Sequence, residues 1–447
     1  RQFTLLGHEY TIRAFRELDR KASKQAPQEL MRRIHHSLPG ANTPIPSGSE
    51  LGQLKKLRGQ TRPRKTIRSL LADMPTTFSK LTPCVLMSPL SIAQYLPAGQ
   101  AAFDVVIFDE ASQITTWDAV GAIARAKQSI IVGDPKQMPP TNNFGRAADD
   151  DDDDDGDSGV PKDMPSILEE VKNCIPSRQL DWHYRSRDEA LIAFSNSQYY
   201  NDRLVTFPAP ATGSEAVQFH KVEGIYARGE GRKNPIEAKA VVAMIKTRLI
   251  EWLALEEKDR PTLGVVTFNA EQQGLIQDLL DDMRRANTAF EWFFAEDRQE
   301  PLMVKNLENI QGDERDVMLF SITFGPTSTG TLSMNFGPMN QEGGEKRLNV
   351  AVTRARQELH VFSSILPDDI DLSRTKAMGV QHLKAFLDYA ARGAEALKAA
   401  DQGSLGPAEN PFEEAVAEAL RQKGWEVRTQ IGVSKFRIDL GIVNPER

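Results

Sequence analysis

The sequence predicts an α/β protein of parallel strands flanked by helices, and three stretches carry that expectation. Phe103–Phe108 is an apolar, β-branched run that ends in two acids, Asp109 and Glu110. Ser129–Val132 is a second such run, ending in Gly133 and Asp134 and followed by PKQMPP, with a helical stretch at Trp117–Ala126 between the two. Further along, Leu263–Thr267 precedes a helical stretch from Glu271 to about Ala286, and Val317–Ile322 repeats the strand pattern. Short apolar runs that end abruptly in Gly, Asp or Pro read as buried parallel strands, and the alternation with helices makes βαβ units. In such units chemistry gathers at the carboxyl ends of the strands.

At 447 residues and 49.8 kDa the chain is long enough for two or three domains with their own cores. Its 40% hydrophobic and 26% charged residues are those of a globular protein. No apolar stretch approaches the ~20 residues needed to span a bilayer and no signal-peptide pattern is seen, so no membrane partner is expected. Cys84 and Cys174 are the only cysteines, which excludes a disulfide framework and a cysteine zinc site and suits a reducing cytoplasm.

The net charge of −7 hides an asymmetry. Asp149–Asp155 and Asp157 form one acidic run, and without those eight charges the balance is +1. Residues 1–72 carry fifteen Lys and Arg against five Asp and Glu. That excess suits a polyanionic partner, and equally a solvated basic helical face.

Taken in order, residues 1–38 read as helical, 39–49 as a loop, and Leu51–Ala72 as a second helical, basic region. Pro83–Met87 reads as a short strand followed by SPLS, in which Ser88 is a candidate helix N-cap. After PKQMPP, the acidic segment 145–163 cannot pack against itself and is expected to be a disordered surface loop. Phe207–Gly213 reads as a linker, and a helix from Pro235 to about Leu255 follows.

Two acids at one strand end can divide the work of phosphoryl transfer. Asp109 would hold Mg²⁺ through water, while Glu110 orients or deprotonates an attacking water. An isolated Asp-Glu pair also simply caps a strand and opens a helix. The nearby GDPKQMPP repeats the site logic at a second strand end, and the combination resembles motifs II and III of superfamily 1 helicases. The resemblance implies that Asp109, Glu110, Asp134 and Gln137 face one nucleotide, with ATP and Mg²⁺ as cofactors and single-stranded DNA or RNA as partner. It also implies that Ser88 touches the nucleic-acid backbone.

The remaining matches extend this resemblance. Tyr184-Arg185, in DWHYRSRDEALIAFSN, is similar to motif IV, where Arg contacts the γ-phosphate and Tyr lies against base or sugar. On its own, that Arg would equally pair with Asp188 or Glu189 on a solvated helix. Thr267 and Asn269, at the end of a strand, fall where relatives contact nucleic acid. Gln311, Gly312 and Glu314 resemble motif V, which implies a backbone turn against nucleic acid and a Glu that reaches the ribose. Gly312 suits a tight turn with N–H groups near phosphate. RLNVAVTRAR, with Arg347, Asn349, Thr353, Arg354 and Arg356, has the spacing of motif VI. Arg354 is its expected arginine finger, stabilising charge on the γ-phosphate in the transition state. Apolar residues around these arginines predict a buried helix rather than a solvated basic one.

No G-x-x-x-x-G-K-[ST] occurs in the sequence. Because that loop supplies the phosphate cradle, the chain is expected to be a fragment cut between motifs I and II and inactive by itself. Pro411–Glu446 reads as a helix, a strand, a turn and a strand, and resembles the start of a Vsr-like, PD-(D/E)xK-type nuclease that follows the helicase core in large bacterial proteins. Glu413 and Asp439 would be two of its metal-binding acids.

The expected architecture is therefore two RecA-like domains, the first incomplete, plus the start of a restriction-endonuclease-like α/β domain. Residues 1–82 form a basic helical region, 83–207 the first domain with motifs II to IV, and 208–366 the second with motifs V and VI. A helical linker (367–408) and the truncated nuclease-like segment (409–447) complete it. The expected function is an ATP-dependent helicase or translocase of the RNA-surveillance-helicase branch, coupled to a nuclease. A non-catalytic nucleic-acid-binding module is the alternative.

Overall fold

The computed structural model describes residues 4–38, 44–61, 65–97, 103–140, 166–208, 216–229, 231–397, 411–431 and 438–443. The chain forms two compact units, residues 1–133 and 134–447. The expected acidic loop at 145–163 lies outside the described residues, as does the 209–215 part of the expected linker.

The first unit opens with α1 (Leu5–Ser37), capped by Thr4, whose hydroxyl accepts from Gly7 N. Side-chain oxygens again set the starts of α2 (Glu50–Arg58), α3 (Ile67–Asp73) and α5 (Pro89–Tyr95), through Ser49, Thr66 and Ser88. Between them α4 (Pro75–Leu81) begins on a proline, the residue whose missing N–H costs nothing there. Strands β1 (Phe103–Phe108) and β2 (Ala126–Ile131) pair in parallel around α6 (Thr116–Ile123), the predicted βαβ unit with its helix ending three residues early. Arg125 is buried at the turn into β2, and its guanidinium donates to the carbonyls of Leu96 and Pro97 at 3.1 and 3.2 Å. The strand expected at Pro83–Met87 is not formed. Prolines at 83 and 89 remove ladder donors, Leu86 is open to solvent, and no strand among the described residues pairs with this segment.

The second unit carries α7 (Ile167–Val171), α8 (Ala190–Tyr199), β3 (Val217–Lys221), α9 (Pro235–Leu253), β4 (Leu263–Thr267), α10 (Ala270–Ala286) and α11 (Glu291–Phe294). It continues with β5 (Met303–Asn306), β6 (Arg315–Ser321), α12 (Gly344–Val352), β7 (Ala355–Ser363), α13 (Met378–Arg392) and α14 (Ala394–Leu397). Five strands make one all-parallel sheet in the order β3-β7-β6-β4-β5. Both faces are covered: Met318 and Phe320 of β6 join one core with Leu348, Leu383 and Phe386, while Val317 and Leu319 join another with Ile245, Leu249 and Ile276. This is why Leu263–Val266 of β4 and Val317–Phe320 of β6 read as continuous apolar runs rather than alternating ones. The chain ends in α15 (Pro411–Gln422) and the antiparallel pair β8 (Val427–Ile431) and β9 (Ile438–Ile442), the expected helix-strand-strand order.

Three boundaries differ from expectation. Residues from Asp134 onward belong to the second unit, where Phe194 of α8 meets Phe386 and Tyr389 of α13 at ring distances of 5.4 and 6.0 Å. The stretch expected to be a linker contains α13, whose Val380, Leu383, Phe386 and Leu387 are core residues. Finally, motif VI is a helix and then a strand, because the β-rich run after Ala355 pairs with both β6 and β3.

Candidate functional site

In the first unit, β1 delivers Asp109 and Glu110 at its carboxyl end. The chain then turns back on itself, with Val132 N donating to Phe108 O at 2.8 Å and Ala111 N to Val132 O at 2.9 Å. Glu110 sits in the left-handed region, φ 52°, a conformation that costs a side-chain-bearing residue about 1 kcal/mol and persists where the surroundings impose it. Asp109 Oδ1 accepts from Glu110 N at 3.0 Å, and both side chains are exposed. One or two exposed carboxylates at a strand end, as Asp109 and Glu110 are, suit a Mg²⁺ ion held through water and substrate phosphates rather than in a protein cage. Among the described residues no group of three or more His, Cys, Asp or Glu side chains is arranged to hold a metal ion. Ser88 serves as the N-cap of α5: its Oγ accepts from Ser91 N at 3.2 Å.

In the second unit, Asp134 is a hub. Its carboxylate accepts from Tyr200 Oη at 2.6 Å, Gln137 Nε2 at 3.1 Å and Lys136 N at 2.9 Å. Tyr200 Oη also accepts from Asn349 Nδ2 at 3.0 Å, and the same amide donates to Lys136 O at 2.9 Å. The GDPKQ turn is thereby tied to α12. Tyr200 was not singled out in the sequence, because a tyrosine in SQYYND carries no motif signal; only its hydroxyl's partners reveal it.

A second cluster gathers motifs IV, V and VI at the amino ends of β6 and β7. Arg185 Nε donates to Glu314 Oε2 at 2.6 Å, so its partner is Glu314 and not Asp188 or Glu189. Glu314, expected to reach a ribose, also accepts from Arg356 at 3.5 Å. Arg356 grips Glu300 with both terminal nitrogens, at 3.0 and 2.6 Å, and Asp316 with Nε at 3.1 Å. The bond to Glu300 holds its pKa above the usual arginine value. Tyr184 beside this cluster is 91% exposed, an open aromatic face.

Arg354 lies between α12 and β7, not on the helix. It is buried, with Nε donating to Val350 O at 2.7 Å and Nη2 to Thr353 Oγ1 at 3.3 Å, so the guanidinium also braces the end of α12. Arg347 is tied to the motif V loop through Glu308 at 2.8 Å.

The opposite, carboxyl end of the sheet holds Thr267 and Asn269. Thr267 is buried, its hydroxyl donating to Asn269 O at 2.8 Å. Asn269 caps α10 by accepting from Gln272 N at 2.8 Å, and its Nδ2 donates to Arg232 O at 2.9 Å. Nearby, the fully buried Glu237 accepts from Ser321 Oγ, Thr323 N and Ser364 Oγ at 2.7, 2.6 and 3.0 Å. Thr323 is held there at φ 70°, unusual for a β-branched residue. Burial pushes the Glu237 pKa up to about 7 against these hydrogen bonds. Sequence reading missed Glu237; a lone acid in the first turn of a helix signals only a favourable dipole. In the motif V loop Gly312 has φ 88° and open space around it, and the neighbouring Gln311 is partly buried.

In the C-terminal segment Glu413 of α15 accepts from Gln430 Nε2 at 3.3 Å, while Asp439 of β9 is exposed. The residues expected to connect the two strands lie outside the described ones.

Two family models, each described as an AAA domain, match residues 53–143 and 165–365. The chain is 33% identical over 323 residues to a Mycoplasma genitalium protein named uncharacterized ATP-dependent helicase MG140, covering 69% of this chain and 27% of that protein. Its Mycoplasma pneumoniae homolog is 33% identical over 321 residues, covering 70% and 27%. The chicken DNA replication ATP-dependent helicase/nuclease DNA2 is 25% identical over 264 residues, covering 58% and 23%. The chain thus spans about a quarter of the length of these relatives. Together the matches support a superfamily 1 helicase.

Proposed function

We propose that this chain is the motor core of an ATP-dependent helicase or translocase that moves on single-stranded DNA or RNA. One observation carries the reading: arginines from motifs IV and VI, far apart in sequence, meet around one carboxylate, with Arg185 and Arg356 both on Glu314. Glu300, Glu314 and Asp316 outweigh the two guanidinium groups there, so the support lies in the convergence of motifs IV, V and VI at one place, with Arg185 able to exchange Glu314 for phosphate oxygens.

The division of labour follows from the residues. Asp109 would hold Mg²⁺, which when bound neutralises charge on the β- and γ-phosphates. Glu110 accepts a proton from, or orients, the attacking water. Gln137, fixed by Asp134, lines the same turn, and Tyr184 offers its exposed face to a base. Arg185 contacts the γ-phosphate in the ground state, while Arg354 acts on charge that develops later. Thr267, Asn269, Gln311 and Gly312 are proposed to meet nucleic acid, with Ser88 as a further backbone contact.

Coupling to a nuclease, with Glu413 and Asp439 as metal-binding acids, belongs to this proposal and is supported by the helix-strand-strand order of the C-terminal segment. A cytoplasmic setting is proposed from the two exposed cysteines, neither in a disulfide. No helix among the described residues is long and apolar enough to cross a membrane.

The test is nucleic-acid-stimulated ATP hydrolysis by the full-length protein that contains this chain. Stimulated turnover that Glu110→Gln abolishes is expected; binding of nucleic acid without turnover would make the chain a binding module. The 447-residue chain alone, lacking the phosphate-binding loop, is expected to be inactive. Turnover by it, removed by Glu110→Gln, overturns that expectation.

A further inference from the structure

We propose that Tyr200 is a positioning residue for ATP hydrolysis, its hydroxyl setting the spacing between the Gln137 turn and the Asn349 face of α12. The proposal rests on the ATPase reading above and goes beyond it, since no motif contains this tyrosine.

A tyrosine hydroxyl has one proton to give. Here it goes to Asp134 Oδ2 at 2.6 Å, which leaves the oxygen to accept from Asn349 Nδ2 at 3.0 Å. Asp134 Oδ2 is also the atom that Gln137 Nε2 contacts, at 3.1 Å. The Gln137 amide and the Asn349 amide are therefore oriented through one phenol. Val350, the next residue after Asn349, supplies the carbonyl that holds Arg354 Nε at 2.7 Å. A shift of the hydroxyl is thus a shift in how Gln137 and Arg354 are registered against each other.

The site is built to hold that hydroxyl still. Tyr200 is followed by two residues in the left-handed region, Asn201 at φ 52° and Asp202 at φ 53°. Asn196 clamps the turn, its side chain donating to Leu204 O at 3.0 Å and accepting from Leu204 N at 2.9 Å. Its carbonyl accepts from the N–H groups of Tyr200 and Asp202 at 3.2 and 3.0 Å. Asn and Asp are the side-chain-bearing residues that best tolerate this conformation, so the turn after Tyr200 is set by its own sequence. Burial, and then the Asp134 carboxylate, raise the Tyr200 pKa, so the hydroxyl keeps its proton throughout any assay range.

The amide network also has unused capacity. Gln137 Oε1 and Asn349 Oδ1 are buried and have no hydrogen-bond partner among the described residues. Buried polar atoms are almost always paired, so oriented and unpaired acceptors beside a proposed phosphate site fit a network that completes itself during turnover.

The experiment uses the full-length protein with ATP and a single-stranded oligonucleotide, comparing Tyr200→Phe with the parent. Phe keeps the ring and its packing and removes only the bridge. The expected result is a fall of about tenfold in stimulated kcat with KM for ATP within about twofold, because a mispositioned group costs transition-state rather than ground-state interaction. A kcat within twofold of the parent overturns the role. So does a loss of kcat that is restored fully by cooling below the melting transition, which marks a merely structural tyrosine. Where Tyr200→Phe does not fold, Asn349→Ala removes the same bridge from its other end, and retained kcat there overturns the proposal equally. An inactive parent, by contrast, overturns the ATPase reading itself.

Discussion

Arg185 Nε lies 2.6 Å from Glu314 Oε2, a contact between residues 129 positions apart that joins motif IV to motif V. Glu314 is shared with Arg356, which itself holds Glu300 and Asp316, so three carboxylates and two guanidinium groups form one chain of charge.

Stability should respond unequally to its two cations. The Arg185–Glu314 pair is about one-third exposed on each side (34% and 34%), so Arg185→Ala should cost under about 1 kcal/mol. Arg356→Ala removes the guanidinium bonded directly to both Glu300 and Asp316, leaving only the more distant charge of Arg315, and should cost about 2–3 kcal/mol. Urea unfolding of both variants checks this, and equal losses would contradict it.

In the full-length protein, Arg354→Ala should lower ATP turnover by about 10³-fold or more while nucleotide affinity changes little. Because Arg354 also donates to Val350 O, the variant should melt earlier as well. Assays well below its melting temperature separate the effects; near-normal kcat in the folded variant would remove Arg354 from the catalytic set. Arg185→Ala should weaken ATP binding too, since its proposed γ-phosphate contact would already be made in the ATP-bound ground state.

Glu237 predicts a pH dependence of stability. Its carboxyl has a pKa near 4.5 when unfolded and about 7 when folded, so the folded state binds the proton more tightly. The stabilisation is fully present below about pH 4.5, declines as pH rises towards 7 and is then gone, a total on the order of 3 kcal/mol. Urea midpoints at pH 5 and pH 8 should differ less in Glu237→Gln than in the parent. An unchanged difference would show that this carboxyl does not titrate with folding.

Gly312→Ala isolates a backbone requirement. At φ 88° with nothing within 4 Å of an added Cβ, the cost is conformational, about 1–2 kcal/mol, with no clash. Gly312→Asn should cost less, since Asn tolerates this region better. If the turn offers its N–H groups to phosphate, nucleic-acid affinity in titrations should fall further for Ala than for Asn. Equal affinities for all three proteins would remove the turn from the interface.

Leu263–Val266 of β4 and Val317–Phe320 of β6 were legible because a parallel strand covered on both faces must be apolar, while β1 was legible from its apolar run although Val105 and Ile107 are exposed. Gly312 was legible too, since left-handed backbone selects the residue. Pro83–Met87 misled because an apolar run specifies a strand only when another strand is there to pair with it. The membership of α8 and α13 in the second unit was illegible for a related reason: an amphipathic face announces that it will be buried, not against what.

The chain's own order of residues therefore determined the α/β class, the positions of β1 and β6 and which side chains are available for phosphate chemistry. Only the tertiary structure decided that Arg185 pairs with Glu314, that Arg354 is buried between a helix and a strand, and that Tyr200 joins Asp134 to Asn349. Backbone propensity and hydrophobic period act over a few residues and can be read along the chain. Hydrogen-bond and ion-pair partners are chosen by proximity in space, among many donors and acceptors of equal local merit, and the fold alone makes that choice.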